Sequence, residues 1–141
     1  TDGTNVVFRR HPPCCTPGHE IALYDGSTIT TLASVGRADP RVDYEVNGGW
    51  TAFTKLDAGR IEQIWTRSPA GVMRQVSNLG SPSTIRALGS DGSVVFDSGA
   101  NRYYADATTA PIRVSSTLGF VRWRDNRFLT FIGGSVFALA P

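Results

Sequence analysis

Both histidines and both cysteines of the chain lie within one stretch of nine residues. The stretch reads His11-Pro12-Pro13-Cys14-Cys15-Thr16-Pro17-Gly18-His19. Imidazole and thiolate groups are ligands for zinc, and a cysteine beside a histidine can serve as a nucleophile. Three prolines and a glycine exclude regular secondary structure here, so the sequence predicts a stiff loop that holds these groups close together.

Four interpretations of this loop are open. His11, Cys14 or Cys15, and His19 could bind Zn²⁺, although adjacent cysteines tend to diverge and zinc motifs usually space them by about two to four residues. Cys14 and Cys15 could form a disulfide, which would fit an oxidising compartment. They could be two thiols that pack or stay unpaired. They could also supply a Cys/His nucleophile, but no orienting acid or oxyanion site can be traced in the sequence.

We therefore assign no catalytic residue and no metal site. His11, Cys14, Cys15 and His19 are the candidate ligands if a metal is bound, and we expect no cofactor. Ca²⁺ at the aspartates of Asp-Gly turns is an alternative, but aspartate is also the residue that such turns favour.

The loop belongs to a chain with an internal repeat. A turn dipeptide followed by a short apolar strand occurs four times, at residues 2–8, 47–53, 91–96 and 125–131. The closing residues Phe8, Phe53, Phe96 and Phe131 are 45, 43 and 35 residues apart. A strand phrase at this period is typical of the blades of a β-propeller.

The segments between these motifs alternate apolar and polar residues with period two, which predicts antiparallel strands. The strands of a propeller blade are labelled a to d from the hub to the rim. The four predicted blades then contain strands b-c-d, a-b-c-d, a-b-c-d and a-b-c, or about fourteen strands in all. No segment keeps a 3.6-residue period, so we expect essentially no helix. The approximate blades are 1–34, 42–78, 85–116 and 120–141, which together make one module over residues 1–141.

The first predicted blade lacks its innermost strand and the last lacks its outermost. Unpaired edges at the closure of a propeller are a hazard for aggregation. The chain could be part of a larger ring, could pair head to tail with a second copy, or could close alone as a small ring. Because Thr1 lies inside a turn motif, we expect a piece of a longer protein.

The repeat resembles that of TolB-like β-propellers, and the resemblance covers nearly the whole chain. Its first copy consists of Asp2-Gly3, Val6, Phe8, Ile21, Tyr24, Gly26 and Leu32, and its second of Gly48-Gly49, Trp50, Phe53, Ile61, Trp65, Gly71 and Val76. The resemblance implies architecture more than function, because such repeats occur in periplasmic scaffold proteins, in propeller domains of peptidases and in large secreted bacterial proteins. It carries no universal catalytic residue. The short third blade and the unusual first loop depart from the pattern.

In such a propeller the b–c and d–a loops share one face, where ligands usually bind. We predict that this face carries the ligand-binding residues His11, His19, Arg37, Asp39, Arg41, Asp57, Arg60 and Arg102. Lys55, Asp97 and Asn101 should lie beside them. The alternative is that the charged members are solvated loop residues in weak surface pairs. Trp50, Trp65 and Trp123 could stack on sugars, but their strand positions favour packing between blades.

Composition excludes two classes of partner. The formal net charge is only +2 and the basic residues are spread along the chain, which argues against nucleic acid. No apolar run approaches the roughly 18 residues that a membrane span needs.

The sequence thus favours a non-enzymatic function. We expect a recognition or scaffolding module of a larger secreted or periplasmic bacterial protein, with a glycan or protein bound at the face that carries the 11–19 loop. Two alternatives are an accessory part of a polysaccharide-degrading enzyme, with chemistry at His11 or His19, and a purely structural spacer.

Overall fold

A computed structural model of the chain describes residues 1–11, 18–35, 43–115, 120–124, 126–132 and 135–139. These residues form fourteen strands in four antiparallel sheets, and no helix occurs among them. Sheet 1 contains β1 (Val6–Arg10), β2 (His19–Tyr24) and β3 (Ile29–Val35). Sheet 2 contains β4 (Tyr44–Asn47), β5 (Trp50–Leu56), β6 (Glu62–Arg67) and β7 (Met73–Gln75).

Sheets 3 and 4 complete the series. Sheet 3 contains β8 (Ser83–Leu88), β9 (Val94–Ser98), β10 (Asn101–Ala105) and β11 (Ile112–Ser115). Sheet 4 contains β12 (Val121–Arg124), β13 (Arg127–Ile132) and β14 (Ser135–Leu139). In each sheet the strands pair in chain order. The predicted grouping of three, four, four and three strands is therefore confirmed, as is the expectation of an all-β fold.

Alternation along the strands lets each middle sheet bury both of its faces. Phe53 and Trp65 of sheet 2 pack toward sheet 1, whereas Ala52 and Ile64, one residue earlier on the same strands, pack toward sheet 3. This follows from the period-two geometry of a strand, in which neighbouring side chains leave opposite faces. Consecutive sheets are joined in this way all along the chain.

Three apolar cores result, one between each pair of consecutive sheets. The core of sheets 1 and 2 is built from Val7, Ile21, Leu23, Leu32, Ala33, Val46 and Phe53. The core of sheets 2 and 3 is built from Ala52, Ile64, Val76, Leu88, Val94, Phe96 and Ala105. The core of sheets 3 and 4 is built from Ala87, Val95, Tyr104, Val121 and Phe128.

The fourth repeat is shifted by comparison with the sequence motif. The aromatic residue that packs against the preceding sheet is Phe128, which contacts Tyr104 at 6.0 Å and Trp123 at 4.6 Å between ring centroids. The phenylalanine that closes the sequence motif stands three residues later. The β12–β13 pairing opposes Trp123 and Phe128, and this register decides which residue faces sheet 3.

Polar contacts fasten sheet 2 to sheet 3 at both margins. On β4, the first strand of sheet 2, Asn47 donates its Nδ2 to the carbonyl of Leu88 on β8 at 2.9 Å. Burial raises the pKa of Glu45, also on β4, although the carboxylate accepts a hydrogen bond from the Leu88 backbone N–H. At the opposite margin, Arg74 donates to the carbonyls of Asp106 and Thr109. The apolar core of sheets 2 and 3 thus has polar contacts between the two sheets on both of its sides.

The turns that connect the first two strands of sheets 2 and 3 pack against each other, and we call this side of the stack the turn end. The backbone N–H of Gly49 donates to Asp2 Oδ2 at 2.7 Å, which ties the start of sheet 1 to the turn of sheet 2. Gly92, in the turn of sheet 3, has a φ of 86° and lies against the indole of Trp50. A Cβ atom at residue 92 would stand 2.6 Å from that ring, so only glycine fits there.

Substitution of Gly92 tests this close approach. We expect Gly92→Ala to lower the free energy of unfolding by about 3 kcal/mol, because it combines left-handed strain with a clash against Trp50. The matched control is Gly3→Ala, at a φ of 93° with nothing within 4 Å of the added Cβ, which should cost only about 1 kcal/mol. Urea denaturation of both variants measures the difference, and equal losses would contradict the packing of these turns.

Acid stability tests the contact between Asp2 and Gly49. Burial by itself would raise the pKa of Asp2, but hydrogen bonds from the backbone N–H groups of Asn5, Gly49 and Thr4 outweigh burial and lower the pKa from 3.8 to about 2. A pKa that is depressed in the folded state stabilises the protein above pH 3.8, and this contribution is lost as the pH falls toward 2. We expect Asp2→Asn to flatten the acid limb of a stability–pH curve, and superimposable curves would contradict this role.

Candidate functional site

His11 and His19 stand together at the other side of the stack, which we call the loop end. Its described residues are His11 and Gly18 of the β1–β2 connection, the β5–β6 connection (57–61) and the β9–β10 connection (99–100). His11 directly follows β1 and His19 is the first residue of β2, so the hairpin brings the two residues together. Their ring centroids are 4.3 Å apart with an interplanar angle of 60°. His11 is exposed, whereas His19 is half-buried.

The surroundings of His19 lower the pKa of its imidazole. Burial is the main cause that lowers its pKa, and the positive charges of Arg9 and His11 lower the pKa further. The Nδ1 atom of His19 is buried, and no hydrogen-bond partner for it occurs in the described part of the chain. A neutral imidazole with an unused nitrogen can accept a hydrogen bond from a ligand or bind a metal ion.

The neighbouring carboxylate does not orient either imidazole. Glu20 Oε2 accepts a hydrogen bond from Arg10 Nε at 2.8 Å, and Thr31 lies within hydrogen-bond distance of both side chains. A histidine that works as a general base needs a partner to hold its ring and tautomer. Glu20 is instead used to fasten β2 to β1.

Several predicted site residues lie outside the described residues. These are Cys14 and Cys15 of the 11–19 loop, and Arg37, Asp39 and Arg41 of the connection between sheets 1 and 2. The choice among a disulfide, free thiols and a metal site therefore stays a prediction. Within the residues that the structure describes, no group of three or more His, Cys, Asp or Glu side chains could hold a metal ion.

Asp57 has a structural role in its own loop. Its Oδ1 accepts a hydrogen bond from the Ile61 backbone N–H at 2.9 Å, and its Oδ2 accepts one from Gln63 Nε2 at 3.3 Å. Arg60, in the same loop, is exposed and adopts a left-handed φ of 61°. Of these two predicted ligand-binding residues, Arg60 is the one that presents its side chain to solvent.

A buried amide underlies this loop, and the sequence analysis missed it. Gln63 is fully buried, its Nε2 donates to the Leu79 carbonyl at 2.7 Å, and its Oε1 accepts from Ser77 Oγ at 2.7 Å and from the Leu79 N–H at 3.2 Å. These bonds and the one to Asp57 use the hydrogen-bonding groups of the amide. The sequence signal that could have revealed this network is the polar residue Gln63 on the same strand face as the apolar Trp65. The network fixes the path of the chain from sheet 2 to sheet 3.

The positions predicted for Asp97 and Arg102 on the ligand-binding face are wrong. They were expected in a loop at the ligand-binding face, but they lie in β9 and β10 and are buried. Arg102 Nε donates to Asp97 Oδ1 at 2.8 Å and its Nη2 donates to Oδ2 at 3.1 Å. Arg86 of β8 shares the same carboxylate at 2.6 Å. Because the link between β9 and β10 is only Gly99 and Ala100, these residues belong to the sheet, and Arg102 is a structural residue.

The tryptophans are also used within the fold. Trp50 packs on Gly92, and Trp65 joins the core of sheets 1 and 2 with the ammonium of Lys55 4.8 Å above its ring. Trp123 packs on Phe128. These contacts match the predicted packing role and not a platform for sugar rings.

Among the described residues, the most exposed aromatic side chain directly precedes β12 of sheet 4. Phe120 is 83% exposed beside β12 and lines a cavity of about 510 Å³ together with Arg122, Trp123, Arg124 and Leu129. The sequence analysis did not single out this cavity. Arg122, Arg124 and Leu129 occupy the face of sheet 4 that points away from sheet 3, because Val121, Trp123 and Phe128 point toward it.

Comparison of the chain with protein-family models, with curated proteins and with solved structures gave no match. No helix among the described residues has the length and apolar character needed to cross a membrane.

Replacement of Asp97 tests whether the arginine cluster is structural. We expect Asp97→Ala to lower the free energy of unfolding by about 3 to 5 kcal/mol, because it leaves the buried Arg102 guanidinium unpaired. The control is Glu20→Ala, which breaks the more exposed pair with Arg10 and should cost about 1 kcal/mol or less. Thermal and urea denaturation measure both changes. A loss for Asp97→Ala no greater than that of the control would show that the pair is not required for folding.

Proposed function

We propose that the chain is a non-catalytic recognition or scaffolding module whose four sheets stand as successive blades of a β-propeller. The observation that carries this proposal is the packing of each sheet, face to face, against the next sheet along the chain. Blades that pack in this manner form a rigid frame, and the connecting loops are then free to vary and to bind a partner.

The hydrogen bonds made by the carboxylates near the loop end support a binding function over an enzymatic one. At or beside the described part of this surface, Asp57 and Glu20 are both bonded to neighbouring protein groups. A catalytic carboxylate must instead be directed at the substrate. The groups that support contact with a partner are the exposed His11, the half-buried His19 and the exposed Arg60.

A protein partner fits these groups better than a glycan does. Sugar sites depend on exposed aromatic faces, and the three tryptophans contribute instead to packing inside the fold. Imidazole and guanidinium groups bond readily to carboxylates and to backbone carbonyls of a protein surface. We therefore propose a protein partner that meets the loop end through His11, His19 and Arg60.

The proposed setting is a larger secreted or periplasmic bacterial protein. A Cys14–Cys15 disulfide would fit an oxidising compartment, and titration of free thiols in protein purified without reductant would detect it. Two titratable thiols would remove this argument for the setting.

Removal of the exposed groups tests the proposed surface. We expect the double variant His11→Ala, Arg60→Ala to lower capture of the partner from extracts by roughly tenfold, because such side chains at the centre of a contact each contribute more than about 1 kcal/mol. Thr4→Ala, on an exposed residue at the turn end, is the matched control. Capture is measured by quantitative mass spectrometry of pull-downs with the wild type and both variants.

A glycan array with the same three proteins separates the alternatives. Binding on the array that is lost in the double variant would replace the protein partner with a glycan. Absence of binding in both assays would favour a structural spacer and would contradict the recognition function.

A further inference from the structure

Arg9 and Lys55 stand on facing sheets beside the loop end. Arg9 pairs with Ile21 across β1 and β2, and residues paired in this way share one face of a sheet. Since Ile21 belongs to the core of sheets 1 and 2, Arg9 is on the face that meets sheet 2. Lys55 follows Phe53 by two residues on β5 and is therefore on the face that meets sheet 1. Both side chains are exposed, so two cations border the same interface.

The two imidazoles lie at the same margin of this interface. His19 precedes Ile21 by two residues on β2 and shares its face, and the centroid of the His11 ring is 4.3 Å from that of His19. Burial is the main cause that lowers the pKa of His19, and the charge of Arg9 adds to it, so the guanidinium lies within electrostatic range of the ring. We call Arg9, His11, His19 and Lys55 the basic cluster.

No carboxylate of the described strands neutralises the basic cluster. Glu20 is on the outer face of sheet 1, and Glu45 and Glu62 are on the face of sheet 2 that meets sheet 3. No hydrogen bond or ion pair of Arg9 or Lys55 occurs within the part of the chain that the structure describes. The positive charges of these two side chains are therefore available to an anion from outside.

Two buried polar atoms of the same interface also lack a hydrogen-bond partner among the described residues. They are His19 Nδ1 and Nε1 of Trp65, a side chain that packs on the core of sheets 1 and 2 beneath the Lys55 ammonium. The indole N–H is a donor, and the imidazole nitrogen is a donor when it carries the proton. The carboxylate of Asp57 is used by Ile61 and Gln63 in its own loop. What these groups lack is an acceptor.

We propose that the basic cluster binds the carboxylates of an acidic segment in the protein partner. A guanidinium and an ammonium both bond strongly to carboxylates. Because packed sheets are roughly 10 Å apart, Arg9 and Lys55 arise from opposite sides of the interface, and a peptide with several carboxylates suits them better than a single phosphate group. This inference rests on the recognition function proposed above and names the chemistry of its partner.

A short peptide of glutamates with blocked ends is the first probe. Isothermal titration calorimetry with the purified chain at low salt should show binding that weakens as sodium chloride is added, because salt screens exposed charges. The matched control is a glutamine peptide of the same length, which should not bind. Equal binding of the two peptides, or binding of neither, would overturn the carboxylate chemistry. Binding of inorganic phosphate in place of the glutamate peptide would also overturn it.

Single substitutions locate the contact. Arg9→Gln and Lys55→Gln should each weaken binding of the glutamate peptide by roughly fivefold, which corresponds to about 1 kcal/mol. The control is Arg113→Gln, which removes the same charge from an exposed position on β11 of sheet 3 and should leave the affinity unchanged. Circular dichroism confirms that each variant is folded. Equal weakening by the control would show attraction to the overall charge and would overturn the assigned site.

The imidazoles report on the same contact. Because the chain contains only two histidines, their ring signals in an NMR spectrum are assigned by the single variant His11→Ala. The glutamate peptide should shift the signals of both rings, and binding without such shifts would place the peptide elsewhere and overturn the proposal.

The peptide and pull-down experiments fail separately. A partner captured through the loop end by a chain that does not bind the glutamate peptide would keep the recognition function and overturn the acidic chemistry. Peptide binding at the basic cluster without any captured partner would support the carboxylate site and count against the proposed protein partner.

Discussion

Burial of both faces of the middle sheets is the constraint on which the rest of this structure depends. The central strands of sheets 2 and 3 supply apolar side chains at consecutive positions, as Ala52 and Phe53 do, and each neighbouring sheet presents a matching surface. A single sheet has no such partner and would expose both faces to water. Each sheet is therefore stabilised by packing against its neighbours, and the stability of the stack also depends on whether the outer faces of sheets 1 and 4 are covered.

The polar groups inside the stack follow from the same constraint. Where the chain must leave one sheet and enter the next, backbone groups are buried and require partners. Gln63 supplies these to Leu79 in the link between sheets 2 and 3. Within the stack, Asn47 donates to the Leu88 carbonyl of β8. Asp97 holds two arginines where sheet 3 packs against sheet 4. Residues that looked available for a ligand in the sequence are in this way used by the fold, which leaves His11, His19 and Arg60 as the described candidates at the loop end.

Much of the fold could be predicted because its signals are local. The turn dipeptides and the alternation after them gave the strands and their grouping correctly. The sequence did not show which residue of β13 faces sheet 3, because only the β12–β13 register places Phe128 there. Asp97 and Arg102 were assigned to a loop because nothing in their spacing shows that a two-residue link suffices. Their partner Arg86 is distant in sequence, and the cavity beside Phe120 depends on which sheet face remains uncovered.

Every sheet is formed from one uninterrupted stretch of chain, with strands paired in the order in which they occur. Such a topology needs no segment to wait for a distant one, so contacts form between near neighbours and closure of long loops is avoided. During synthesis, sheet 1 can fold while sheet 2 is still emerging from the ribosome. Each later hairpin can then pack against a sheet that has already folded. Within these residues the three apolar cores can therefore form in the order of translation, with the core of sheets 3 and 4 after the other two.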